Sequence, residues 1–206
     1  FLSQVSHEVR TPMTAIRAFS EILLSEDELD QAASRKFIST IHKESLRLTS
    51  LLDEILDLSA LERGERVWES RPINAEETLD QALRVCDALA RQNRTRMVSG
   101  PRASVAIVSA DADRLSQVLI NLISNAIKYN DAENPEVVIR SRIDGEQYII
   151  EVADNGSGIP EEDRGRIFDK FYRGRNGEAT SYAGAGLGLP ISQQIIARMR
   201  GTLELV

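Results

Sequence analysis

A regular repeat of apolar residues fills the first 63 positions, and it restricts the possible folds more than any other feature. In its first part the apolar residues are spaced alternately by three and four, as in a helix that packs along a single seam. These residues are Leu2, Val5, Val9, Pro12, Ile16, Phe19 and Leu23. The stretch from Ser25 to Asp30 breaks the repeat. It resumes at Ile38, Ile41, Ser45, Leu48, Leu52 and Ile55, and it ends near Arg63. The sequence therefore predicts a helical hairpin.

A hairpin of two helices presents one apolar seam that its own chain leaves uncovered. Two copies can bury both seams in a dimeric four-helix bundle, so we expect a homodimer through the hairpin. With Leu2 at heptad position a and Val5 at d, His7 falls at f, opposite the seam, and its imidazole is predicted to be exposed. The second histidine, His42, falls at e beside the seam, where we expect a partly buried imidazole.

His7 begins the string HEVRTP, in which Pro12 interrupts an otherwise helical sequence. A proline inside a helix removes a backbone hydrogen bond and bends the helix, at a cost of about 3 kcal/mol. A lone histidine is usually a surface or core-edge residue without a chemical task. Because such a bend is costly, its presence close to His7 favours a functional role for the imidazole.

The composition excludes several classes of protein. A formal net charge of −7 disfavours a nucleic-acid partner, because a duplex binder normally carries a basic face. Cys86 is the only cysteine, so a disulfide framework and a multi-cysteine metal site are excluded, and a reducing, cytoplasmic location is expected. No apolar run approaches the roughly 18 to 20 residues of a membrane span, so we expect no membrane contact by this segment. A length of 206 residues favours two modules.

After Arg71-Pro72 the pattern changes to alternating helical and strand-like segments. Helices are predicted over about 75–92, 112–129 and 190–199, and strands near 105–108, 137–143 and 148–153. This mixture is typical of an α+β sandwich, in which helices cover one face of a sheet.

The helix predicted over 112–129 has a polar line opposite its apolar stripe. The polar residues recur at intervals of three and four, so their side chains project together. They are Arg114, Gln117, Asn121, Asn125 and Lys128. An amide oxygen suits Mg²⁺, which binds through one or two protein oxygens together with nucleotide phosphates. Lys128 could then meet the phosphates, and Tyr129 the base. A polar surface stripe without a ligand is the alternative.

The first glycine-rich cluster directly follows a predicted strand and reads DNGSGIP over residues 154–160. Its glycines allow the backbone to approach a ligand closely, and the Asp154 carboxylate can accept a hydrogen bond from an exocyclic amine such as that of adenine. A turn without a ligand would contain similar residues.

The second glycine-rich cluster reads GAGLGLP over residues 184–190 and precedes the last predicted helix. Free amides at a helix start suit an anion. It is not a Walker loop, because the lysine and the Ser/Thr that should follow are absent. Between the two clusters, Phe168 and Phe171 are apolar anchors, and Arg173 is available for a phosphate oxygen. Core packing and a surface arginine would explain these three residues equally well.

Taken in this order, the clusters resemble those of the sensor histidine kinases of two-component signalling, over nearly the whole chain. Residues 6–12 resemble the phosphoacceptor box of that family, 121–129 its N box, 154–158 its first glycine box, 167–173 its F box and 184–189 its second glycine box. The resemblance implies a dimerisation and histidine phosphotransfer domain over residues 1–66. It implies a catalytic ATP-binding domain of the gyrase-like ATPase fold over 72–206.

The resemblance also implies roles for individual residues. His7 would attack the γ-phosphorus of ATP, while Glu8 orients or deprotonates the imidazole at its other nitrogen. The phosphoryl group would then pass to an aspartate of a separate response regulator, and Thr11 would hold the water that dephosphorylates that regulator. A structural bond from the Thr11 hydroxyl to a backbone carbonyl is the alternative role for that residue. Asn125 would coordinate Mg²⁺. The other implied nucleotide-binding residues are Asn121, Lys128, Tyr129, Asp154, Gly156, Gly158, Ile159, Phe171, Arg173, Gly184, Gly186, Leu187 and Gly188.

Two other classes of function compete with this interpretation. A gyrase-like or chaperone-like ATPase shares the Asn, Asp and glycine elements but needs a catalytic carboxylate ahead of the metal-binding asparagine. Here that stretch contains Gln117 and Asn121 instead. A dimerisation scaffold without catalysis is the second alternative, although the intact His7, Asn125 and Asp154 disfavour it.

Overall fold

The computed structural model describes residues 2–25, 29–63, 68–174 and 185–206, and its first two elements form the hairpin. Helix α1 spans Leu2–Ser25 and helix α2 spans Gln31–Arg63. The Asp30 carboxylate caps α2 by accepting a hydrogen bond of 2.6 Å from the backbone N–H of Ala33. The rings of Phe19 and Phe37 stack between the two helices, with centroids 5.3 Å apart. The predicted hairpin is therefore confirmed, with Pro12 lying inside a helix that continues past it.

The hairpin leaves several large apolar side chains exposed in the single chain. They include Met13, Ile38, Leu46, Leu52 and Leu56. Ile38 and Leu52 belong to the predicted seam of α2, so α1 alone does not cover that seam. For the same reason the His42 side chain is exposed in the single chain, where its heptad position predicts partial burial in a bundle. The exposed imidazole predicted for His7 is confirmed, with 76% of that side chain accessible.

The rest of the described chain forms an α+β domain, as predicted. Its elements are β1 (Arg71–Asn74), α3 (Ala75–Gln92), β2 (Arg96–Ser99), β3 (Ile107–Ala110), α4 (Ala112–Lys128), β4 (Glu136–Asp144), β5 (Gln147–Asp154), α5 (Glu161–Arg164) and α6 (Gly188–Arg198). Strands β1 and β2 and helix α5, each of four residues, were not predicted from the sequence. Strand β3 begins two residues later than predicted, and Val105 before it is exposed.

The described strands of this domain lie in two sheets, one of two strands and one of three. Strand β4 pairs with β5 in antiparallel fashion and with β2 in parallel fashion, and β1 pairs with β3 in antiparallel fashion. Alternate residues of β4, Val137 and Ile139, pack against α3 and α4 in a buried core that also contains Leu79 and Ile123. Strand β5 ends at Asp154, directly beside the first glycine-rich cluster. The core therefore fixes the strand end and the helix α4 that carry the predicted nucleotide-binding residues.

A buried carboxylate joins α3 to the two longest strands. Glu76 is 5% exposed and accepts hydrogen bonds from Ser141, from the Tyr148 hydroxyl at 2.7 Å and from Arg102 Nε at 2.8 Å. Burial acts to raise the pKa of Glu76, but these hydrogen bonds and the Arg102 charge outweigh it, so the pKa lies below its ordinary value. Glu76 is therefore a structural anion, and it holds α3 in place against β4 and β5.

The C-terminal half of α2 packs against the α+β domain. Leu58 and Leu61 of α2 are buried in one apolar cluster with Val118 of α4 and with Leu187 and Ile191 at α6. A polar contact borders this cluster, since Arg114 Nη1 and Gln117 Nε2 donate to Asp57 Oδ2 at 3.3 and 3.0 Å. Two residues of the predicted polar line on α4 thus contact the hairpin, and they lie apart from the asparagines further along the helix.

Candidate functional site

His7 lies on α1 opposite the apolar seam, whereas its neighbour Glu8 lies toward α2. The Nδ1 atom of His7 lies 3.9 Å from Oε1 of Glu8. The other carboxylate oxygen of Glu8 lies 3.6 Å from Nη2 of Arg47 on α2, and Arg47 Nη1 lies 3.6 Å from Glu44. The side chains of Glu8 and Arg47 are only 25% and 23% exposed. The exposed imidazole therefore turns Nδ1 toward a carboxylate that is itself held by a cation.

Arg47 was not identified from the sequence. The heptad pattern shows which face each helix presents to the seam, but it does not fix how far α2 is shifted along α1. The shift of α2 along α1 in this structure brings Arg47 beside Glu8, although the two residues lie 39 positions apart in the sequence.

Thr11 lies one helical turn after His7 and is exposed. Its hydroxyl donates a hydrogen bond of 3.2 Å to the backbone carbonyl oxygen of His7. This is the local bond that a helical threonine often makes. It uses the hydroxyl proton and leaves the oxygen lone pairs on the surface beside the imidazole.

Helix α4 places the two asparagines one turn apart, and their amides form a chain that ends at α6. Asp111 caps the helix by accepting from the backbone N–H groups of Asp113 and Arg114. Further along, Asn125 Nδ2 donates to Asn121 Oδ1 at 3.4 Å, and Asn121 Nδ2 donates to the buried hydroxyl of Ser192 at 2.9 Å. Both amides are thereby oriented.

Gly188 lies at the start of α6, directly against Asn121. A Cβ atom at position 188 would lie 2.4 Å from Asn121 Oδ1, so any other residue here would displace the Asn121 amide. The structure thus brings the second glycine-rich cluster together with the N-box asparagines. Ser192 was missed from the sequence, since nothing in the local pattern indicates a partner 71 residues away.

Lys128 and Tyr129 end α4 at the surface. Lys128 is half-buried, and Tyr129 is the C-terminal cap residue, with 38% of its surface exposed. Glu54 of α2 lies close enough for the Lys128 charge to act on it. Burial raises the pKa of Glu54, and the Lys128 ammonium opposes that rise.

The first glycine-rich cluster forms a sharp turn at the end of β5. The Asp154 carboxylate is exposed, and its Oδ1 accepts a hydrogen bond of 2.9 Å from the backbone N–H of Gly156. A Cβ atom at Gly156 would lie 2.9 Å from that same oxygen. Gly158 has a φ of +74°, a left-handed conformation that favours glycine. Ile159 follows as a half-buried residue.

The F-box region and the second glycine-rich cluster meet through their backbones. Phe171 has a φ of +63°, which is unusual for an aromatic residue, and its N–H donates to the carbonyl oxygen of Gly186 at 2.9 Å. Gly186 has a φ of +68°, and a Cβ there would lie 2.6 Å from the Tyr172 carbonyl oxygen. Leu187 is fully buried, and Phe171 packs on the same apolar cluster, so core packing explains both side chains.

Arg173 and Gly184 are the other two residues of this region that the sequence predicts for the site. Arg173 is half-buried after Phe171. Gly184 lies outside the residues that the structure describes.

Two family models match the chain over the two regions just described. Residues 1–64 match the His Kinase A (phospho-acceptor) domain. Residues 110–206 match the histidine kinase-, DNA gyrase B- and HSP90-like ATPase. The chain belongs to the histidine kinases.

Histidine kinases from several bacteria are similar to this histidine kinase along its whole length. The circadian input-output histidine kinase CikA of Synechococcus elongatus is 32% identical over 209 residues, covering 100% of the chain and 28% of CikA. The sensor protein GacS of Pseudomonas syringae pv. syringae is 35% identical over 211 residues, covering 98% of the chain and 23% of GacS. The chain thus spans less than a third of the length of these curated relatives.

Solved histidine kinase structures share the arrangement of a hairpin followed by an α+β domain. The histidine kinase ThkA in its complex with the response regulator protein TrrA has a TM-score of 0.77 and 30% identity, covering 97% of this histidine kinase chain and 55% of ThkA. Full-length ShkA in complex with AMPPNP has a TM-score of 0.66 and 27% identity, covering 95% of this histidine kinase chain and 40% of ShkA. The predicted fold class is confirmed by these neighbours.

The helices of this histidine kinase that the structure describes include none with the length and hydropathy needed to cross a bilayer.

Proposed function

We propose that this chain transfers the γ-phosphoryl group of ATP to His7 and that the phosphohistidine then donates it to an aspartate of a response regulator. The observation that carries the proposal is the placement of His7. Its imidazole is exposed and lies beside the Glu8 carboxylate. The same chain contains the amide, carboxylate and glycine elements of a nucleotide site. The chain's membership of the histidine kinases supports the same conclusion.

The geometry at His7 suits an in-line phosphoryl transfer. Since Nδ1 faces Glu8, Nε2 is the nitrogen that would attack the γ-phosphorus. The new bond joins Nε2 to phosphorus, and the bond from phosphorus to the β–γ bridging oxygen breaks, with its electrons leaving on ADP. The Glu8 carboxylate, 3.9 Å from Nδ1 in this structure, would approach to accept a hydrogen bond from the Nδ1 proton or take that proton, which would stabilise the positive charge that develops on the ring. Positioning and charge neutralisation supply most of the rate.

The nucleotide would bind between α4, the end of β5 and the start of α6. Asp154 would accept a hydrogen bond from the adenine amine, with Tyr129 and Ile159 beside the base. Lys128 and Arg173 would contact phosphate oxygens. Backbone amides near Gly186 and Gly188 would contact the phosphates at the start of α6.

Asn125 fits the magnesium ligand that the family implies. The amide chain from Asn125 through Asn121 to Ser192 uses the Nδ2 of each asparagine as donor, so Asn125 Oδ1 would be the atom that serves as a hard oxygen ligand. The described residues contain no cluster of three or more His, Cys, Asp or Glu side chains, so a single amide with phosphate oxygens is the expected donor set. Magnesium bound there would neutralise charge on the phosphates.

The partners follow from the surface of the hairpin and from the relatives. The exposed apolar residues along α1 and α2, such as Ile38 and Leu52, are the surface that a second copy would cover in a four-helix bundle. ThkA was solved with a response regulator, and we propose a receiver domain of this kind as the acceptor here. A cytoplasmic location is proposed because ATP and receiver domains are found there.

One labelling experiment separates this proposal from its rivals. The protein is incubated with Mg²⁺ and ATP labelled at the γ-phosphate, and protein-bound label and free phosphate are both measured. We expect label on the protein that is lost in acid and stable in base, as for a phosphohistidine. Free phosphate without protein-bound label would indicate a gyrase-like ATPase. Neither signal, in protein that is folded by circular dichroism, would indicate a scaffold.

A further inference from the structure

Two side chains just beyond α4 reach across to the turn that follows β5. Asn130 Nδ2 donates to Asn155 Oδ1 at 3.0 Å and to the backbone carbonyl oxygen of Glu136 at 3.1 Å. Asp131 Oδ1 accepts a hydrogen bond of 2.7 Å from the backbone N–H of Ser157. Consecutive residues therefore contact the turn at two different points. We call residues 154–158 the Asp154 turn.

Asn155 ties the first of these points to the start of β4. Its Oδ1 also accepts from the backbone N–H of Glu136 at 2.8 Å, and its Nδ2 donates to the carbonyl oxygen of Asn134 at 3.0 Å. Both ends of the Asn155 amide are therefore bonded to backbone. The base of the Asp154 turn is rigid as a result, independently of Asp131.

Asp131 is different, because it acts on the outer half of the turn. Its bond to the Ser157 N–H is short, as expected for a charged acceptor. The Ser157 backbone N–H and the Ser157 hydroxyl both lower the pKa of Asp131, so it remains a charged acceptor at neutral pH. The side chain of Asp131 is otherwise exposed. Its interaction with Ser157 is thus its main constraint within the fold.

The two carboxylates beside the turn hold successive amides. Asp154 accepts from Gly156 N–H and Asp131 accepts from Ser157 N–H. A Cβ atom at Gly156 would lie 2.9 Å from Asp154 Oδ1 and 3.2 Å from Asp131 Oδ1, so the turn backbone is closely enclosed by both side chains. The Gly156 and Ser157 amides flank the Gly156 Cα, so without Asp131 this part of the turn would be held by Asp154 alone.

We propose that Asp131 is a positioning residue for the nucleotide base: by holding the Ser157 amide, it fixes the Asp154 turn in the shape that aims the Asp154 carboxylate at an exocyclic amine. This inference rests on the proposed function, in which Asp154 binds adenine. Asp131 acts through Asp154 and touches neither the phosphates nor His7.

Base discrimination provides a readout that a merely structural role would not change. Adenine carries an amine at the position where guanine carries a carbonyl oxygen, and a fixed carboxylate accepts from the first and repels the second. If Asp131 fixes the Asp154 carboxylate, replacing Asp131 weakens adenine binding and leaves the already weak guanine binding unchanged. A general loosening of the domain would weaken both nucleotides alike.

The test compares Asp131→Ala, Asp131→Asn and wild type in binding of ADP and GDP with Mg²⁺, by titration calorimetry. The loss of one charge-assisted bond predicts about tenfold weaker ADP binding in Asp131→Ala, and a smaller loss in Asp131→Asn, which keeps an acceptor oxygen. The matched control is Asp144→Ala, which removes an exposed carboxylate at the opposite end of β4. It should bind ADP as wild type does.

The autophosphorylation kinetics give a second readout. In Asp131→Ala the KM for ATP should rise while kcat at saturating ATP stays within about twofold, because bound nucleotide still reaches His7 in the same way. Equal affinities of Asp131→Ala and wild type for ADP, or equal loss for ADP and GDP, would overturn the inference. Absence of ADP binding by the wild-type protein would instead overturn the proposed function.

Discussion

Gln117 of α4 donates a hydrogen bond of 3.0 Å from Nε2 to Oδ2 of Asp57 on α2. This bond joins the helix of the nucleotide site to the hairpin that carries His7. Glu8 faces Arg47 on α2, and Asp57 lies ten residues further, about 15 Å along the helix at 1.5 Å per residue. The contact between the domains is therefore displaced along the bundle from the imidazole, and we expect it to open during phosphoryl transfer.

The first prediction tests this contact. Asp57→Ala should weaken domain docking, because it leaves Arg114 and Gln117 without the carboxylate that both donate to. We expect faster hydrogen exchange in the amides of α4 and α6 and a faster autophosphorylation rate, since less free energy is needed to open the contact. Asp53→Ala removes an exposed carboxylate one turn earlier and serves as the control. Unchanged exchange in Asp57→Ala would mean that the apolar cluster alone holds the domains together.

The second prediction concerns the phosphoacceptor. His7→Gln should abolish protein-bound label from γ-labelled ATP and leave the affinity for ADP nearly unchanged, because His7 lies on the hairpin, outside the α+β domain. His42→Gln is the control, since it removes the other histidine of the chain, which is also exposed. Label retained by His7→Gln and lost from His42→Gln would reverse the assignment.

The third prediction concerns the metal ligand. Asn125→Asp should impair Mg-ATP-dependent phosphorylation, because it places a negative charge beside the triphosphate and removes the amide hydrogen that bonds to Asn121. The measurement is kcat and KM over a range of Mg²⁺ concentrations. Asn134→Asp makes the same chemical change at an exposed position in the same domain. Near-normal kinetics in Asn125→Asp would remove Asn125 from the proposed metal site.

Much of the fold is encoded in local patterns. Helices α3 and α4 were predicted within one residue, and in the structure Asn74 and Asp111 cap their N-termini. Their caps and periods are short-range features that a single sequence displays. Strands β1 and β2 were missed because they owe their conformation to pairing with distant strands, as in the match of Arg71 with Ala110.

The candidate site was predictable as a set of clusters, but its internal contacts were not. The sequence singled out Asn121, Asp154 and Gly188, and it could not indicate that Ser192 bonds to Asn121 or that Asp131 bonds to Ser157. Such contacts depend on how helices and turns pack across tens of residues. The exposure of His42 in the single chain has a similar origin, because a heptad position predicts burial only when a neighbouring helix covers it.

The fourth prediction concerns Arg47, which lies 3.6 Å from the Glu8 carboxylate. Arg47→Ala should lower kcat for autophosphorylation about tenfold and leave the KM for ATP unchanged, because Glu8 would lose the group that holds it toward His7. Arg47→Lys should recover part of the rate. Arg17→Ala removes an exposed arginine that pairs with Glu21 on the same helix, and it should behave as wild type. A rise in KM that accompanies the fall in kcat would indicate that Arg47 stabilises the fold of the hairpin rather than the position of Glu8.

The fifth prediction concerns Thr11 and the reverse reaction, in which the regulator loses its phosphoryl group. The Thr11 hydroxyl donates its proton to the His7 carbonyl oxygen, so its lone pairs are available to accept a hydrogen bond from a water molecule. Thr11→Ala should keep autophosphorylation within a fewfold of normal and slow regulator dephosphorylation about tenfold, a loss of roughly 1.4 kcal/mol of transition-state stabilisation. Thr11→Ser, which keeps the hydroxyl, should restore most of the rate.

Thr14 offers a matched control for this experiment. Its hydroxyl makes the same type of bond, to the Arg10 carbonyl oxygen at 2.8 Å, and it is equally exposed on α1. Thr14→Ala should therefore have the same effect on the helix without removing a hydroxyl one turn from His7. The measurement is the decay of a purified phosphorylated regulator in the presence of ADP and each variant. If wild type accelerates decay and Thr11→Ala accelerates it equally, the role of Thr11 is limited to its bond with the helix backbone.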